Sequence, residues 1–355
     1  MKVAVGLSGG VDSSVAALRM VEAGHEVMGI TMKIWSGESS SSSVRHACYS
    51  PNEDQEIEIA QKVCDILGIP FYLYDCSADY QAIVLDNFRD QYILGNTPNP
   101  CVICNQKVKF GVLLQLAKKE INFDSFATGH YARTHFDQEG KRFQLLKAKD
   151  PMKDQTYFLY RLNQEQLSST IFPLGELTKD EVYHIARKAG LPTSEEKESQ
   201  DFYDGDYREL IKMPPKQGNI VTQEGEVVGQ HEGYWNFTIG QRRGLRVSSS
   251  QPLYVLKLVP EKNEVVVGSK KEGERSCFWV SDINWVSWEG LRAHEEVQVK
   301  TRSTQIPRPA TLSMDDEKNK IKVSYDLPEN AVTPGQSAVF YDDDIVIGGG
   351  IISSR

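Results

Sequence analysis

The first half of this chain is predicted to be an α/β fold with a doubly wound parallel sheet. A small central domain and a C-terminal β barrel are predicted to follow. Three observations lead there. Apolar strands alternate with amphipathic helices from residue 1 to about 190, the pattern of a parallel sheet covered on both faces. After Phe202 helical periodicity fades and short alternating segments take over, as in small antiparallel domains. Between the first strand and the first helix lies a glycine pair, where an α/β sheet holds anions.

Taken in order, Lys2–Leu7, Glu26–Met32, Phe71–Asp75 and Ser125–Thr128 read as buried strands. Helices are expected to start near Ser13, Pro51, Tyr80 and Lys107. The second carries a start signal: Ser50 as N-cap, Pro51 in the first turn and Glu53 completing a capping box. The serine run Ser39–Ser43 makes Ser36–Val44 an expected mobile loop. Further on, Leu253–Leu258 and Glu264–Val267 flank Pro260–Asn263 as a hairpin. Strands at Val297–Thr301, Ala310–Met314, Ile321–Tyr325, Gln336–Tyr341 and Ile345–Ile351 complete the chain. The expected domains are 1–202, 203–272 and 273–355.

With 355 residues the chain can build real cores without cross-links. Forty Lys and Arg against 49 Asp and Glu give a net charge of −9. That balance does not exclude nucleic acid, because a phosphate backbone reads local patches. Lys107, Lys109, Lys118 and Lys119 form one such patch, and Arg242, Arg243 and Arg246 another. No signal peptide and no apolar run of membrane-spanning length is visible. A cytoplasmic setting without membrane contact is therefore expected, and its six cysteines point to buried, metal-binding or catalytic roles rather than a disulfide framework.

The richest stretch is VAVGLSGGVDSS, Val3–Ser14. Glycines let the backbone approach an anion, and the first-turn N–H groups with the positive helix end hold it. Ser8 and Ser13 add hydroxyl donors. Asp12 cannot face a phosphate unaided, because like charges repel. A divalent cation, Mg²⁺, is expected between them. The alternative is an ordinary strand–turn–helix with Asp12 as N-cap. Neither GxxxxGK[ST] nor GxGxxG is present.

Ser8–Ser14 resembles the pyrophosphate loop of the N-type ATP pyrophosphatases, which cleave ATP between its α and β phosphates and transfer AMP to a substrate oxygen. The string Asn96–Phe110 (NTPNPCVICNQKVKF) resembles the corresponding loop of the tRNA-specific 2-thiouridylases, the MnmA family. So do Ala127–Ala132, Lys153–Leu159, Ser199–Asp201, Tyr234–Leu245 and Pro334–Tyr341. The resemblance implies an adenine nucleotide α-hydrolase-like sheet holding ATP at Gly6, Leu7, Ser8, Gly9, Gly10, Val11, Asp12 and Ser13, with Met32 and Gly129 nearby. It implies that Asn99, Pro100 and Cys101 lie by the target base. Contacts to tRNA are implied for His130, Lys153, Asp154, Gln155, Arg302, Ser303 and Gln336. The substrate would be the wobble uridine of tRNAs for Lys, Glu and Gln. Its O2 would be adenylated and then replaced by sulfur from a protein persulfide, supplied by a relay protein such as a cysteine desulfurase. A monomer is expected.

His130 and Lys153 also admit plain structural or surface readings. In Tyr234–Leu245, arginines beside Trp235 and Phe237 suit RNA, whose splayed bases stack on aromatics. With a helix expected from Gln106, Cys104 would sit near a helix N-terminus, where the dipole favours a thiolate.

The chain departs from the family at two places. Tyr203 stands where most members carry a second catalytic cysteine, and Cys101 stands where they usually have aspartate. Three readings of Cys101 and Cys104 remain open: a persulfide and disulfide pair, an iron–sulfur cluster with Cys48 as third ligand, or a structural zinc. Cys64 shares a helical face with Ile57, Ala60 and Leu67 and is expected in the core, and Cys76, which follows a buried strand, is expected to be structural. Two rival functions remain: an ATP pyrophosphatase acting on a small molecule, and a catalytically silent tRNA-binding homologue.

Overall fold

The computed structural model describes residues 1–37, 47–192, 201–203, 205–330 and 332–353. Most of the serine loop, and the Ser199 and Gln200 positions of the family string, lie outside the described residues. The chain begins β1 (Lys2–Gly6), α1 (Val11–Glu22), β2 (Glu26–Lys33), β3 (Ala47–Tyr49), α2 (Glu53–Leu67) and β4 (Phe71–Asp75). Then α3 (Ser77–Tyr80) winds through a π-helical turn at Gln81–Leu85 into α4 (Asp86–Ile93). Next, α5 (Pro100–Ile103) passes into a nine-residue π-helical stretch, Cys104–Val112, and on into α6 (Leu113–Glu120).

Two compact units result. The first comprises Met1–Val84, Pro100–Gly205 and Asp343–Ile347. Its sheet has the order β4-β2-β1-β5-β8, with β5 at Ser125–Thr128 and β8 at Thr170–Ile171. Every pairing in it is parallel. Val3 and Val5 are buried in the central strand and α1 lays Val11, Val15, Ala16 and Met20 into the same core. Each large apolar side chain so buried contributes about 1.5–3 kcal/mol. The chain moves from β1 outward through β2 and β4, then returns to β1's other side with β5. The order therefore reverses between β1 and β5, and in open α/β sheets the ligand crevice lies beyond the strand ends at such a point.

The remaining elements of this unit decorate that sheet. The hairpin β6 (Arg133–Asp137) and β7 (Arg142–Leu146) pairs antiparallel and was not expected in a strand–helix alternation. Short helices α7 (Thr156–Leu159) and α8 (Gln164–Ser168) precede α9 (Lys179–Lys188), which starts with a full capping box between Thr178 and Glu181. Strand β9 (Asp201–Tyr203) pairs with β3 in a separate parallel ladder, Tyr49 opposite Tyr203.

The second unit comprises Leu85–Asn99, Asp206–Asp342 and Gly348–Arg355. After α10 (Tyr207–Ile211) come β10 (Gly218–Val221), β11 (Val227–His231), β12 (Tyr254–Val259) and β13 (Glu264–Gly268), ordered β11-β10-β13-β12. β12 and β13 form the predicted hairpin, turned by a 3₁₀ segment at Pro260–Lys262 and Asn263 in the left-handed region. The last six strands are β14 (Arg275–Trp285), β15 (Glu295–Lys300), β16 (Arg308–Asp315), β17 (Lys320–Glu329), β18 (Ser337–Asp342) and β19 (Ile345–Ile352). They run β14-β17-β16-β15-β18-β19, and β14 pairs back onto β19. The result is a closed six-stranded barrel without free edges. Strand β14 was not among the expected strands. Among the described residues no helix is long and apolar enough to cross a membrane.

Two helix starts differ from expectation. Helix α2 begins at Glu53 with Asn52 as N-cap and no side-chain cap. The Glu53 carboxylate, meant for a capping box, instead accepts from the backbone N–H groups of Ile34 (2.7 Å) and Trp35 (3.0 Å) beyond the end of β2. The helix that carries Cys104 begins at Pro100 rather than near Gln106. Proline suits a first helical turn, where its missing N–H is no loss, and tertiary bonds hold the π winding. Gln166 Nε2 donates to the carbonyls of Gln106 (3.1 Å) and Phe110 (3.0 Å).

Gly129, just past β5, meets the first turn of α1 so closely that a Cβ there would lie 2.6 Å from the Ser13 nitrogen and 2.7 Å from the Asp12 carbonyl carbon. Both are backbone atoms that cannot rotate aside. Gly129→Ala is therefore expected to destabilise the first unit by about 1–3 kcal/mol, seen as a fall in Tm of several degrees. An unchanged Tm would show that the two elements do not touch.

Candidate active site

A crevice of about 270 Å³ opens at the switch point of the first unit, near the lower end of the usual range for small-molecule sites. Its floor is Gly6–Ser13, and Met32, Gly129 and His130 line its walls with Cys48, Lys109, Lys153 and Gln155. The structure thus brings together the predicted nucleotide residues and several of the predicted tRNA contacts.

The loop is built for an anion. Gly9 has φ +74°, and a Cβ on it would lie 2.6 Å from the Glu56 carbonyl oxygen, so only glycine fits. Gly10, not Asp12, is the N-cap of α1, with extended backbone and no side-chain cap. The first-turn N–H groups are left for a ligand. Ser13 is drawn inward: its hydroxyl donates to the Gly10 carbonyl (3.0 Å) and accepts from the Ser8 N–H (3.2 Å). Those bonds brace the loop.

Asp12 lines the crevice but is not free to face a phosphate. Its Oδ1 accepts from the Tyr131 hydroxyl and from the Lys179 ammonium, both at 2.7 Å. The counter-charge expected from a divalent cation is supplied at that oxygen by a lysine. Among the described residues no three His, Cys, Asp or Glu groups converge as a metal site. The donors present therefore do not make a protein-built cage for Mg²⁺, nor do Cys48, Cys101 and Cys104 make one for an iron–sulfur cluster or zinc.

The cysteines divide as follows. Cys64 and Cys76 are fully buried, as expected. Cys101 and Cys104 are half-buried one helical turn apart, and none of the six cysteines is joined in a disulfide. Cys48 is open to solvent at its surface but crowded on its other sides, and that burial raises its thiol. The expectation of a thiolate at Cys104 fails. Because the helix starts at Pro100, Cys104 is a turn inside it, and burial pushes its thiol up to about 11. The Lys109 ammonium pulls the other way, and Cys48 adds to the rise. A π winding bonds residue i to i+5, which brings Lys109 round to the side of Cys104. In an α-helix the same spacing would turn it away.

His130 is kept neutral: burial, then Lys109, pulls its pKa well below the usual value. Its Nδ1 lies 2.9 Å from the Thr128 hydroxyl, and Phe110 and Phe172 flank the ring. Gln155 Oε1 accepts from the Tyr131 N–H, and the Asp154 carboxylate accepts from Thr156 and the Ala148 N–H. Those two side chains brace the wall. Tyr203, at the position of the absent cysteine, is buried beside Tyr49.

The other predicted residues belong to the second unit. Arg302 is exposed and Ser303 half-buried in the turn after β15. Gln336 Nε2 donates to the carbonyls of Thr97 and Pro98, both at 3.0 Å, and so holds the segment that leads to Asn99. Arg242, Arg243 and Arg246 are exposed, but Trp235 and Phe237 are buried and offer no stacking face. Sequence reasoning missed Lys179 and Tyr131 as partners of Asp12, since nothing local links positions 167 residues apart.

The chain matches three family models in succession. These are a tRNA methyl transferase HUP domain over residues 1–203, a tRNA methyl transferase PRC-barrel domain over 211–269, and an aminomethyltransferase beta-barrel domain over 275–352. It is 46% identical to the tRNA-specific 2-thiouridylase MnmA of Endomicrobium trichonymphae, with 99% of each chain covered. It is 41% identical to that of Caldicellulosiruptor saccharolyticus, covering 99% of this chain and 98% of the relative. Among solved structures, the U34-tRNA thiolase NcsA from Methanococcus maripaludis, with its [4Fe-4S] cluster, aligns over 60% of this chain and 64% of its own at 22% identity and a TM-score of 0.37.

With its pKa near 11, Cys104 is a neutral thiol at pH 7, and its thiolate fraction grows tenfold per pH unit up to that value. The rate of Cys104 alkylation by iodoacetamide, followed by peptide mass spectrometry, is expected to climb from pH 7 to pH 10 without a plateau. A plateau near neutrality would refute the buried thiol.

Proposed function

Because the chain belongs to the tRNA-specific 2-thiouridylase family, we propose that its crevice binds ATP and adenylates O2 of the wobble uridine, and that Cys104 with Cys101 handles the incoming sulfur. The activity itself is ATP-dependent thiolation of a tRNA uridine, a sulfurtransferase reaction. The observation that carries the fuller reading is the glycine-lined first turn of α1 at the sheet's switch point, in one crevice with Lys109 and His130.

The chemistry is leaving-group activation. A urea-type oxygen leaves poorly and AMP leaves well. The first-turn N–H groups of α1 would hold the β–γ end of the nucleotide and accept the pyrophosphate. Uridine O2 attacks the α phosphate, a sulfur nucleophile then adds at C2, and AMP departs. Mg²⁺ would arrive with the nucleotide's own phosphates, which need few protein carboxylates.

For the sulfur step, Tyr203 is buried and carries no thiol, while Cys101 and Cys104 stand on adjacent turns. We assign the persulfide and its resolution to this pair. Such a thiol pair beside a nucleotide crevice favours sulfur transfer over the methyl transfer in two of the family descriptions. In this reading Lys109 tempers the cost of charging Cys104 and then faces the polyphosphate. Arg302 and Ser303 on the barrel, with Lys153 at the crevice, contact tRNA. The substrates are tRNAs for Lys, Glu and Gln, a cysteine desulfurase or relay protein supplies sulfur, and the enzyme works as a cytoplasmic monomer.

Purified protein, ATP, an unmodified tRNA transcript and a persulfide donor are expected to yield AMP, pyrophosphate and 2-thiouridine. Cys104→Ser should stop thiolation but leave tRNA-dependent pyrophosphate release. Thiolation that persists in that variant would remove Cys104 from the mechanism. AMP formed from a small carbonyl compound without tRNA would favour the small-molecule rival, and no ATP turnover would favour the silent binder.

A further inference from the structure

Lys179 occupies a place that is unfavourable twice over. It is buried, and a buried ammonium loses hydration. It is also the first residue of α9, at the helix end whose dipole repels cations. Its main chain is pinned there, the N–H donating to Asp150 Oδ2 at 3.0 Å. What offsets both costs is Asp12, whose Oδ1 lies 2.7 Å from Nζ, with the rings of Tyr183 and Tyr131 at 4.7 and 5.9 Å. Asp12 and Tyr131 line the nucleotide crevice. Lys179 stands behind them.

An unpaired carboxylate in the first turn of α1 would repel the anion that this turn is shaped to hold. We propose that Lys179 is a positioning residue that neutralises Asp12 from the protein side, so that the loop takes up the phosphates of ATP without a metal ion at Asp12 Oδ1. Tyr131 fixes the same oxygen and keeps the carboxylate turned toward the lysine. This rests on the reading of the crevice as the ATP site. The two are separable, because wild-type protein that does not bind ATP fails the site, whereas wild-type binding unchanged by Lys179 variants fails only the lysine.

The test is ATP titration of the full chain by calorimetry, with Tm recorded for each variant, across a series of Mg²⁺ concentrations. Lys179→Met leaves a half-buried carboxylate without its counter-charge and is expected to weaken ATP binding about 30-fold, with the Mg²⁺ requirement moved to higher concentration as metal recruits the freed carboxylate. Asp12→Asn added to Lys179→Met removes the lone charge and is expected to recover most of that loss. Lys179→Arg should remain near wild type. Wild-type affinity in Lys179→Met overturns the proposal. So does a folded double variant that binds no better than Lys179→Met. If Lys179→Met does not fold, the double variant, with no unpaired charge, decides by comparison with Asp12→Asn: binding within about threefold upholds the proposal, and a loss beyond that overturns it.

Discussion

The candidate site depends on the close approach of two backbones. The end of β5 meets the first turn of α1 at a point where no side chain fits, because a Cβ on Gly129 would strike the Ser13 nitrogen. That approach exists because β1 pairs with β5 in register, Gly6 opposite Thr128. The two following loops therefore start level and face one another across the switch point. One loop presents N–H groups and the other presents His130 and Tyr131. The parallel sheet fixes the distance between them, and the hydrophobic core beneath, with Val3, Val5 and Val15 fully buried, fixes the sheet.

Around that contact, electrostatics is arranged in depth. Nearest the crevice are N–H dipoles and the ammonium of Lys109. Beside them Asp12 is held by Tyr131 and, from behind, by Lys179, so the carboxylate supports the loop without opposing an anion. Burial holds His130 neutral and the Cys104 thiol protonated. Buried groups of this kind avoid the cost of lone charges and reserve ionisation for the moment a substrate changes the surroundings. A thiol poised near 11 beside an ammonium gains most from an arriving electrophile or a proton acceptor. That suits the sulfur-carrying role proposed for Cys104.

What was legible in the sequence was local. The parallel strands, the glycine turn, the hairpin around Pro260–Asn263 and most barrel strands follow from periodicity and turn residues, each of which acts within about ten positions. The failures are tertiary. Glu53 has the spacing of a capping box, yet its carboxylate is drawn to the N–H groups of Ile34 and Trp35. Cys104 had the sequence of a helix N-terminus, but the helix already starts at Pro100 and burial overrides the dipole. Trp235 and Phe237 read as a stacking platform, yet both serve the core of the second unit.

The substitution pattern at the thiols follows from the same geometry. A cysteine at position 203 would share the face of the β3–β9 ladder on which Tyr203 packs beside Tyr49, and in this chain that face is filled by aromatic rings: Tyr49 also stacks on Tyr80, 5.5 Å away. Filling it with tyrosine removes a thiol and adds buried apolar area. In the proposed chemistry the partner for Cys104 comes from elsewhere, and Cys101 is one helical turn away on the same element. Residues one turn apart keep their spacing whatever the surrounding loops do. A thiol pair on a single helix therefore needs no loop closure to meet, whereas a pair divided between Cys104 and position 203 would. In the proposed sulfur chemistry the second thiol therefore stands on the element that already carries the first.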